Sequence, residues 1–224
     1  MKYIIFDIDG TLTDTTTIDD YCFTRAIEDI FNFRNFNTDY GHYEHTTDSG
    51  IINQLFIENL GRACTEEERD KFISHFCSLL EQEHQKQPDC MREISRAGKT
   101  LETLYQQEHI SVGLATGGWR ESAQFKLRCA GINIEGCAAA SFAQDAMARH
   151  DIIAHTIRKM DEKHQQETAL SDIVYIGDGN WDYEATKKLG IQFIGIENKR
   201  IAHLNKIIKI IDYNDLSEHL GWYA

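Results

Sequence analysis

A short apolar segment that ends in two acids and a glycine constrains the fold more than any other part of the chain. Residues 3–6 form an apolar run too short for a helix, and Asp7 and Asp9 follow directly before Gly10. Side chains alternate along a strand, so the two carboxylates would share a face, but glycine permits a sharp break that can spread them around one site. Two acids at the carboxyl end of a strand repel each other and are costly to desolvate. The pair therefore indicates a bound cation, or one ionised and one protonated acid, although a bare Asp-x-Asp-Gly also fits an ordinary strand and turn.

Composition and charge narrow the class of protein. A chain of 224 residues with 42% hydrophobic residues can form one large domain, or a core with a small insertion. Its formal net charge of −13 argues against nucleic acid and anionic membranes as partners, because both require a basic surface. The apolar stretches are too short for a membrane span, and the ten histidines and six cysteines show no clustered zinc-binding pattern. Scattered cysteines, with no secretory signal before Asp7, predict free thiols in a reducing cytoplasm.

The pattern after about residue 90 is that of an α/β protein. Short apolar strands alternate with longer amphipathic stretches, which is typical of a parallel sheet covered by helices. The predicted strands are residues 2–6, 110–115, 137–141, 173–176, 191–196 and 207–211. The clearest predicted helices between and after them are residues 121–129, 182–189 and 216–220.

Residues 15–88 break this rhythm. They contain no clear strand but three helix-like runs, at residues 18–33, 49–60 and 65–85. A hydroxyl at Thr65 with an acid at Glu68 predicts a capping box at the start of the third run, and Gly61 fits the end of the second. The interpretation is a helical insertion, so that residues 1–14 and 89–224 form the core and 15–88 a separate cap. The alternative is that these helices simply pack on the sheet.

Two further segments put chemistry at the ends of predicted strands. Thr116 and Gly117 stand between a strand and a helix, where free backbone N–H groups suit a phosphate oxygen, although such a segment also makes an ordinary turn. Residues 173–177 again direct an acid, Asp178, from the end of an apolar run, and Asp182 follows four residues later. Asp182 could also be a helix-starting acid that interacts favourably with the helix dipole.

These segments together resemble the haloacid dehalogenase superfamily in its phosphatase form. Residues 3–14 match the family's first motif, Asp-x-Asp-Gly-Thr-Leu-x-Asp, and the Thr116 and Asp178 segments match its second and fourth motifs in order. The resemblance covers essentially the whole chain and is nearest to the phosphoglycolate phosphatase-like subgroup. It implies a Rossmann-like, doubly wound parallel sheet with an inserted helical cap. It also implies that Asp7 is the nucleophile and Asp9 the general acid and base.

The third motif of the family is present in altered form. Relatives carry a lysine or arginine before the last core helix, often followed by proline, whereas this chain has Arg149 and then His150. The planar guanidinium can hold a phosphate and a carboxylate together, so the chemistry survives the change. If the loop is longer, Arg158, Lys159 or Lys163 could serve instead.

The resemblance also implies a cofactor and a phosphate-binding set. Magnesium would be held by the carboxylates of Asp7 and Asp178 and by the backbone carbonyl of Asp9, which suits a hard cation that prefers oxygen ligands. Asp182 would act directly, through water, or from the second layer of ligands. Thr116, the Gly117 N–H group and Arg149 would then bind the phosphate oxygens.

The function implied is a magnesium-dependent phosphatase that hydrolyses a small phosphorylated metabolite through an aspartyl-phosphate. Haloacid dehalogenases proper lack the second acid, so Asp9 speaks against that activity, and phosphonoacetaldehyde hydrolases need a cap lysine that residues 15–70 lack. A sugar-phosphate mutase is the main alternative, although mutases usually carry an arginine near the position of Thr46. A non-catalytic binding protein on this fold is a further alternative, but the three key acids are all present.

A specificity loop is predicted within the helical segment, at His45, Thr47 and Asp48. Each of these side chains could equally cap or pack a helix. The sequence carries no signal for the oligomeric state or for which phosphorylated substrate is used.

Overall fold

The fold is built on a six-stranded parallel sheet. The computed structural model describes residues 1–214, 216 and 220, so most of the helix predicted at 216–220 lies outside the described residues. Its eight strands are β1 (Lys2–Phe6), β2 (Thr13–Asp14), β3 (Arg92–Glu93), β4 (Ile110–Ala115), β5 (Ala139–Ser141), β6 (Ile173–Gly177), β7 (Gln192–Ile196) and β8 (Ile208–Ile210). Six of them form the sheet in the order β5-β4-β1-β6-β7-β8, and all neighbours are parallel. The predicted Rossmann-like α/β class is therefore confirmed.

The centre of the sheet is formed by the most apolar strands. All six residues of β4 are buried, and so are four of the five residues of β1. Strands covered on both faces read as continuous apolar runs, which is why their predicted bounds match the observed ones. The edge strands β5 and β8 are three residues each, shorter than predicted.

Seven helices accompany the strands in the described part of the chain. They are α1 (Thr16–Phe31), α2 (Asp48–Leu60), α3 (Glu66–Lys86), α4 (Ala97–Tyr105), α5 (Arg120–Cys129), α6 (Arg149–His164) and α7 (Asn180–Leu189). The predicted capping box of α3 is present: the Thr65 hydroxyl accepts from the Glu68 N–H group, and the Glu68 carboxylate accepts from the Thr65 N–H group. Gly61 ends α2 with a φ of +68°.

Helices α1, α2 and α3 share an apolar cluster of their own. It includes a group of aromatic rings, in which Phe23 meets Phe72 edge to face and the partly buried Phe31 stacks on Phe72, both with centroids 5.3 Å apart. Trp119, from the loop between β4 and α5, is fully buried in the same cluster. The indole therefore ties the helical segment to the loop at the carboxyl end of β4.

The chain enters and leaves the helical segment through one small ribbon. Strands β2 and β3 pair antiparallel, with Thr13 opposite Glu93 and Asp14 opposite Arg92. The Arg92 guanidinium donates to the Asp14 carboxylate at 2.9 Å, an exposed contact between the two crossings. The sequence did not predict this ribbon, because two residues per strand are too few to show an alternating pattern.

The structure also shows the state of the cysteines and the character of the helices. The six cysteines are free, and burial raises the pKa of the Cys22 thiol to about 12. Of the helices in the described residues, none combines the length and the apolar character that crossing a bilayer requires.

Candidate active site

The candidate site lies where three neighbouring strands end. Strand β1 lies between β4 and β6, and all three run in the same direction. Asp7, Thr116 and Asp178 each follow the last residue of one of these strands, and each is buried. In open α/β sheets, ligands bind at the carboxyl ends of the strands, so this edge is the expected position for a site.

Three acids converge at this edge. Carboxylate oxygens of Asp7, Asp178 and Asp182 lie within 4.8 Å of one another, and all three residues are buried. The turn after β1 allows the approach, because Gly10 has a φ of +74° and a Cβ there would stand 2.3 Å from an oxygen of Asp178. Asp182 accepts hydrogen bonds from the Gly179 N–H group at 3.0 Å and from Tyr175 at 3.3 Å.

Burial shapes the charge of these acids. It raises the pKa of Asp178 to about 8 and that of Asp182 to about 7, and it also raises the pKa of Asp7. Two guanidinium groups, those of Arg149 and Arg200, offset part of the repulsion. The three carboxylates outnumber the two guanidinium groups, and their hard oxygen donors lie close together. This arrangement fits a divalent cation such as magnesium.

Arg149 connects the acids to the helical segment. It is the first residue of α6, and its guanidinium donates to Asp7 at 3.2 Å and lies 3.4 Å from an oxygen of Asp182. It also donates to the backbone carbonyl of Thr46 at 3.4 Å. Burial alone would lower the pKa of Arg149, but Asp182 and Asp7 outweigh it and the pKa is raised. Of the cations predicted as alternatives, Lys159 instead donates to Ala140, Ser141 and Asp145.

The loop after β4 is shaped by this arginine. A Cβ on Gly117 would stand 2.6 Å from the Arg149 guanidinium and 3.0 Å from the Thr46 carbonyl, so a side chain there would displace the guanidinium. Thr116 is buried, and its hydroxyl accepts from the Gly118 N–H group at 3.3 Å. The sequence-predicted Thr116, Gly117 and Arg149 are thus brought together beside Asp7.

Asp9 has different neighbours from Asp7. One of its carboxylate oxygens accepts from the Thr15 hydroxyl at 2.6 Å, and the other accepts from the Lys126 ammonium at 2.6 Å. Its side chain is therefore not part of the cluster formed by Asp7, Asp178 and Asp182. Lys126 also donates to Asp19 of α1.

Sequence reasoning missed Lys126, although a signal existed. Lys126 lies on the buried side of α5, four and three positions after the buried Ser122 and Ala123, and its side chain is 1% exposed. A lysine in the apolar stripe of an amphipathic helix is unusual, because an unpaired ammonium is costly to bury. Its partners come from distant parts of the chain and could not be deduced from the local pattern.

The three residues of the predicted specificity loop have different surroundings. Thr47 caps α2 by accepting from the Gly50 N–H group at 3.1 Å, and its hydroxyl donates to the Met147 carbonyl at 2.6 Å. Asp48 accepts from the Trp119 N–H group at 3.0 Å and lines the same cavity as Asp7. His45 lines a neighbouring cleft instead.

A cavity of about 530 Å³ lies between the sheet edge and the helical segment. The acids and Thr116 lie on its sheet side, and Asp19, Asp20, Tyr40 and Asp48 line it from the helical side. Arg200, also missed at the sequence level, donates to Asp178 at 2.7 Å and lies 3.7 Å from Asp20. The cavity is large enough for a small organic molecule and draws its lining from both layers.

The chain belongs to the haloacid dehalogenase-like hydrolase family. The family model matches residues 4–196, which include Asp7, Thr116 and Asp178. The fold and the site therefore define a hydrolase of this family. A comparison with curated protein sequences gave no match.

Solved structures agree with this fold at low sequence identity. A hydrolase from Pseudomonas syringae superposes with a TM-score of 0.73 at 20% identity, covering 99% of this chain and 98% of that one. A protein from Haemophilus somnus, described as a predicted phosphoglycolate phosphatase, gives 0.62 at 17% identity, with 98% and 97% covered. CbbY from Rhodobacter sphaeroides, solved in complex with phosphate, gives 0.69 at 14% identity, with 96% of each chain covered.

Proposed function

We propose that this protein is a magnesium-dependent phosphatase that hydrolyses a small phosphomonoester through an aspartyl-phosphate on Asp7. The observation that carries the proposal is the position of Asp7, which is buried in the acidic cluster and accepts a hydrogen bond from the guanidinium of Arg149. Family membership supports hydrolysis, and phosphate bound to CbbY together with the description of the Haemophilus protein supports phosphate chemistry.

In this mechanism Asp7 attacks phosphorus in line, and the leaving oxygen departs on the opposite side. The hydroxyl of Thr116, the Gly117 N–H group and the guanidinium of Arg149 bind the oxygens of the transferring group. Arg149 already donates a hydrogen bond to the Asp7 carboxylate. Its planar guanidinium can therefore orient the nucleophile and the phosphate relative to each other.

Asp9 carries the proton in both halves of the reaction. It protonates the leaving alcohol in the first step and takes a proton from the attacking water in the second. Its carboxylate lines the cavity and lies outside the acidic cluster, so its oxygens are not committed to the metal-binding acids.

The carboxylates of Asp7 and Asp178 and the backbone carbonyl of Asp9 would hold the magnesium ion, with Asp182 beside them. When bound, the ion offsets the repulsion between the Asp7 carboxylate and an anionic phosphate. Asp182 and Tyr175 keep the cluster ordered through their hydrogen bond.

Residues 15–88 act as a cap over a core made of residues 1–14 and 89–224. The cap supplies the far wall of the cavity, excludes bulk water and selects the leaving group. The shared apolar cluster of α1 to α3 supports a unit of this kind. A phosphatase is favoured over a mutase because this chain has a threonine at position 46, near which mutases usually carry an arginine.

The experiment is phosphate release from a panel of phosphomonoesters, with nitrophenyl phosphate as the general substrate. Release should require magnesium, stop in EDTA and return when magnesium is added in excess. Asp7→Asn should be inactive toward every substrate. Full activity in EDTA, activity with zinc alone, or an active Asp7→Asn variant would contradict the proposal.

A further inference from the structure

The strongest unassigned feature is a buried lysine with two carboxylate partners. Lys126 of α5 is fully enclosed, with a side chain 1% exposed. Its ammonium donates to Asp9 at 2.6 Å and also to Asp19. The three residues come from three parts of the chain, namely the turn after β1, helix α1 and helix α5.

Such a position is costly unless both carboxylates are present. A buried ammonium needs paired charges and hydrogen bonds to compensate for lost solvation. Burial alone would lower the pKa of Lys126, but Asp19 and Asp9 outweigh it and the pKa is raised. The ammonium equally separates two acids that would otherwise repel each other across the same space.

The contacts fix both oxygens of Asp9. The Thr15 hydroxyl donates to one oxygen at 2.6 Å, and Lys126 donates to the other. The Thr15 hydroxyl is itself bonded to that of Thr13 at 2.6 Å, and both threonines are buried. A carboxylate held at both oxygens keeps one orientation, which a proton-transfer group requires.

On the basis of the proposed function, we propose that Lys126 positions the Asp9 carboxylate for proton transfer. The contact between Lys126 and Asp19 makes this position depend on the cap. Lys126 holds Asp9 against Thr15 and turned toward the leaving oxygen. Asp19 lies on α1 in the helical segment, so its contact with the ammonium forms when that helix covers the cavity. Proton transfer is then available when the substrate is enclosed.

The test compares two leaving groups in Lys126→Met. Formation of phosphoenzyme from an alkyl phosphate and from nitrophenyl phosphate is followed by rapid quench. Nitrophenolate hardly needs protonation, so the variant should lose about 10²-fold or more with the alkyl ester and far less with the aryl ester. Lys187→Met, which removes an exposed lysine of an exposed ion pair with Glu184, is the control and should leave both rates unchanged.

Asp19→Asn provides a second variant of nearly the same volume. It keeps the pair between Lys126 and Asp9 but replaces the charged partner on α1 by a neutral one, so it should reduce the alkyl rate selectively and by less than Lys126→Met. Thermal unfolding of each variant is measured alongside. If Lys126→Met does not fold, Asp19→Asn decides, and an unchanged ratio of alkyl to aryl rates overturns the proposal.

A crystal structure of Lys126→Met gives a readout that does not depend on activity. The Asp9 carboxylate should leave the orientation it has beside Thr15. Equal losses for the two esters in a folded variant, or an unmoved Asp9, would leave Lys126 with a structural role only and overturn the proposal. An inactive wild-type protein would contradict the phosphatase function instead, and the orientation of Asp9 would still decide the positioning role.

Discussion

Asp7 and Asp9 are separated by one residue, yet their surroundings give them different capacities. Asp7 is in contact with Arg149 and belongs to the acidic cluster, whereas Asp9 is held by Thr15 and Lys126. A side chain among phosphate-binding groups suits nucleophilic attack, whereas one held at both oxygens outside those groups keeps the fixed orientation that proton transfer requires. The strand that ends at Phe6, directly before Asp7, and the break at Gly10 produce this division.

Replacement of each acid should therefore impair a different step of the reaction. Asp7→Asn removes the nucleophile, so no phosphoenzyme should form with any leaving group. Asp9→Asn retains the nucleophile but loses proton transfer, a deficit of about 10²–10⁴ in rate that should spare nitrophenyl phosphate relative to alkyl phosphates. Rapid-quench measurement of protein-bound phosphate tests both variants. Phosphoenzyme in Asp7→Asn, or equal losses for both ester types in Asp9→Asn, would reverse the assignment.

For single residues, the sequence predicts those site residues whose position is determined by the few residues next to them in the chain. Asp7, Thr116 and Asp178 each follow an apolar run, so their place at a strand end could be predicted from a few residues. Lys126 and Arg200 could not be assigned in this way, because their partners lie more than twenty residues away along the chain and meet them only in the folded protein. For Thr47 the sequence left substrate selection and helix capping open, and in the structure its hydroxyl caps α2 and donates to the Met147 carbonyl.

At the scale of elements, strands that are buried on both faces were predicted best. The apolar runs of β1 and β4 have the observed bounds, since a parallel strand covered on both sides has no polar alternation to obscure them. Helices α4 and α6 were not named at the sequence level, although α6 begins at Arg149. The position of Arg149 at a helix start was therefore implied by resemblance rather than by pattern.

Elements also determine where the helical segment can bend. Its two chain crossings meet in the β2–β3 ribbon, while the Trp119 indole donates to the Ser49 hydroxyl at 2.9 Å and secures the start of α2 to the loop after β4. The ribbon is short and its ion pair exposed, so it offers little resistance to bending. The segment should therefore move as one unit about this ribbon.

Hydrogen exchange measures this motion. With magnesium and a phosphate mimic present, backbone amides of residues 47–50 and 117–119 should exchange more slowly, because closure buries their contacts. The amides at the centre of α3 pack within the segment and should change little. Trp119→Phe keeps an aromatic ring but removes the donor to Ser49, and it should reduce the protection gained. Uniform protection across all of residues 15–88, or none at the interface, would contradict motion as a unit.

At the scale of the whole molecule, the acid excess and the buried cluster couple stability to pH. The net charge is −13, and buried acids of the site have pKa values raised by burial, to about 8 for Asp178 and about 7 for Asp182. An unfolded aspartate titrates near 3.9. Between these values the folded protein retains protons that the unfolded chain has released. The contribution of these acids to stability is therefore fully present below about pH 4 and is lost as the pH rises toward 8.

This linkage predicts opposite effects of pH with and without magnesium. In EDTA the unfolding temperature of wild type, taken relative to Asp178→Asn, should fall between pH 5 and 8, because the variant lacks a carboxylate whose pKa is raised to about 8. Magnesium needs deprotonated ligands, so its stabilisation should grow over the same range and by several degrees at pH 8. Calorimetry of both proteins at four pH values provides the measurement. The linkage is wrong if the unfolding temperature of wild type relative to that of Asp178→Asn rises with pH in EDTA. It is also wrong if magnesium stabilises Asp178→Asn as much as wild type.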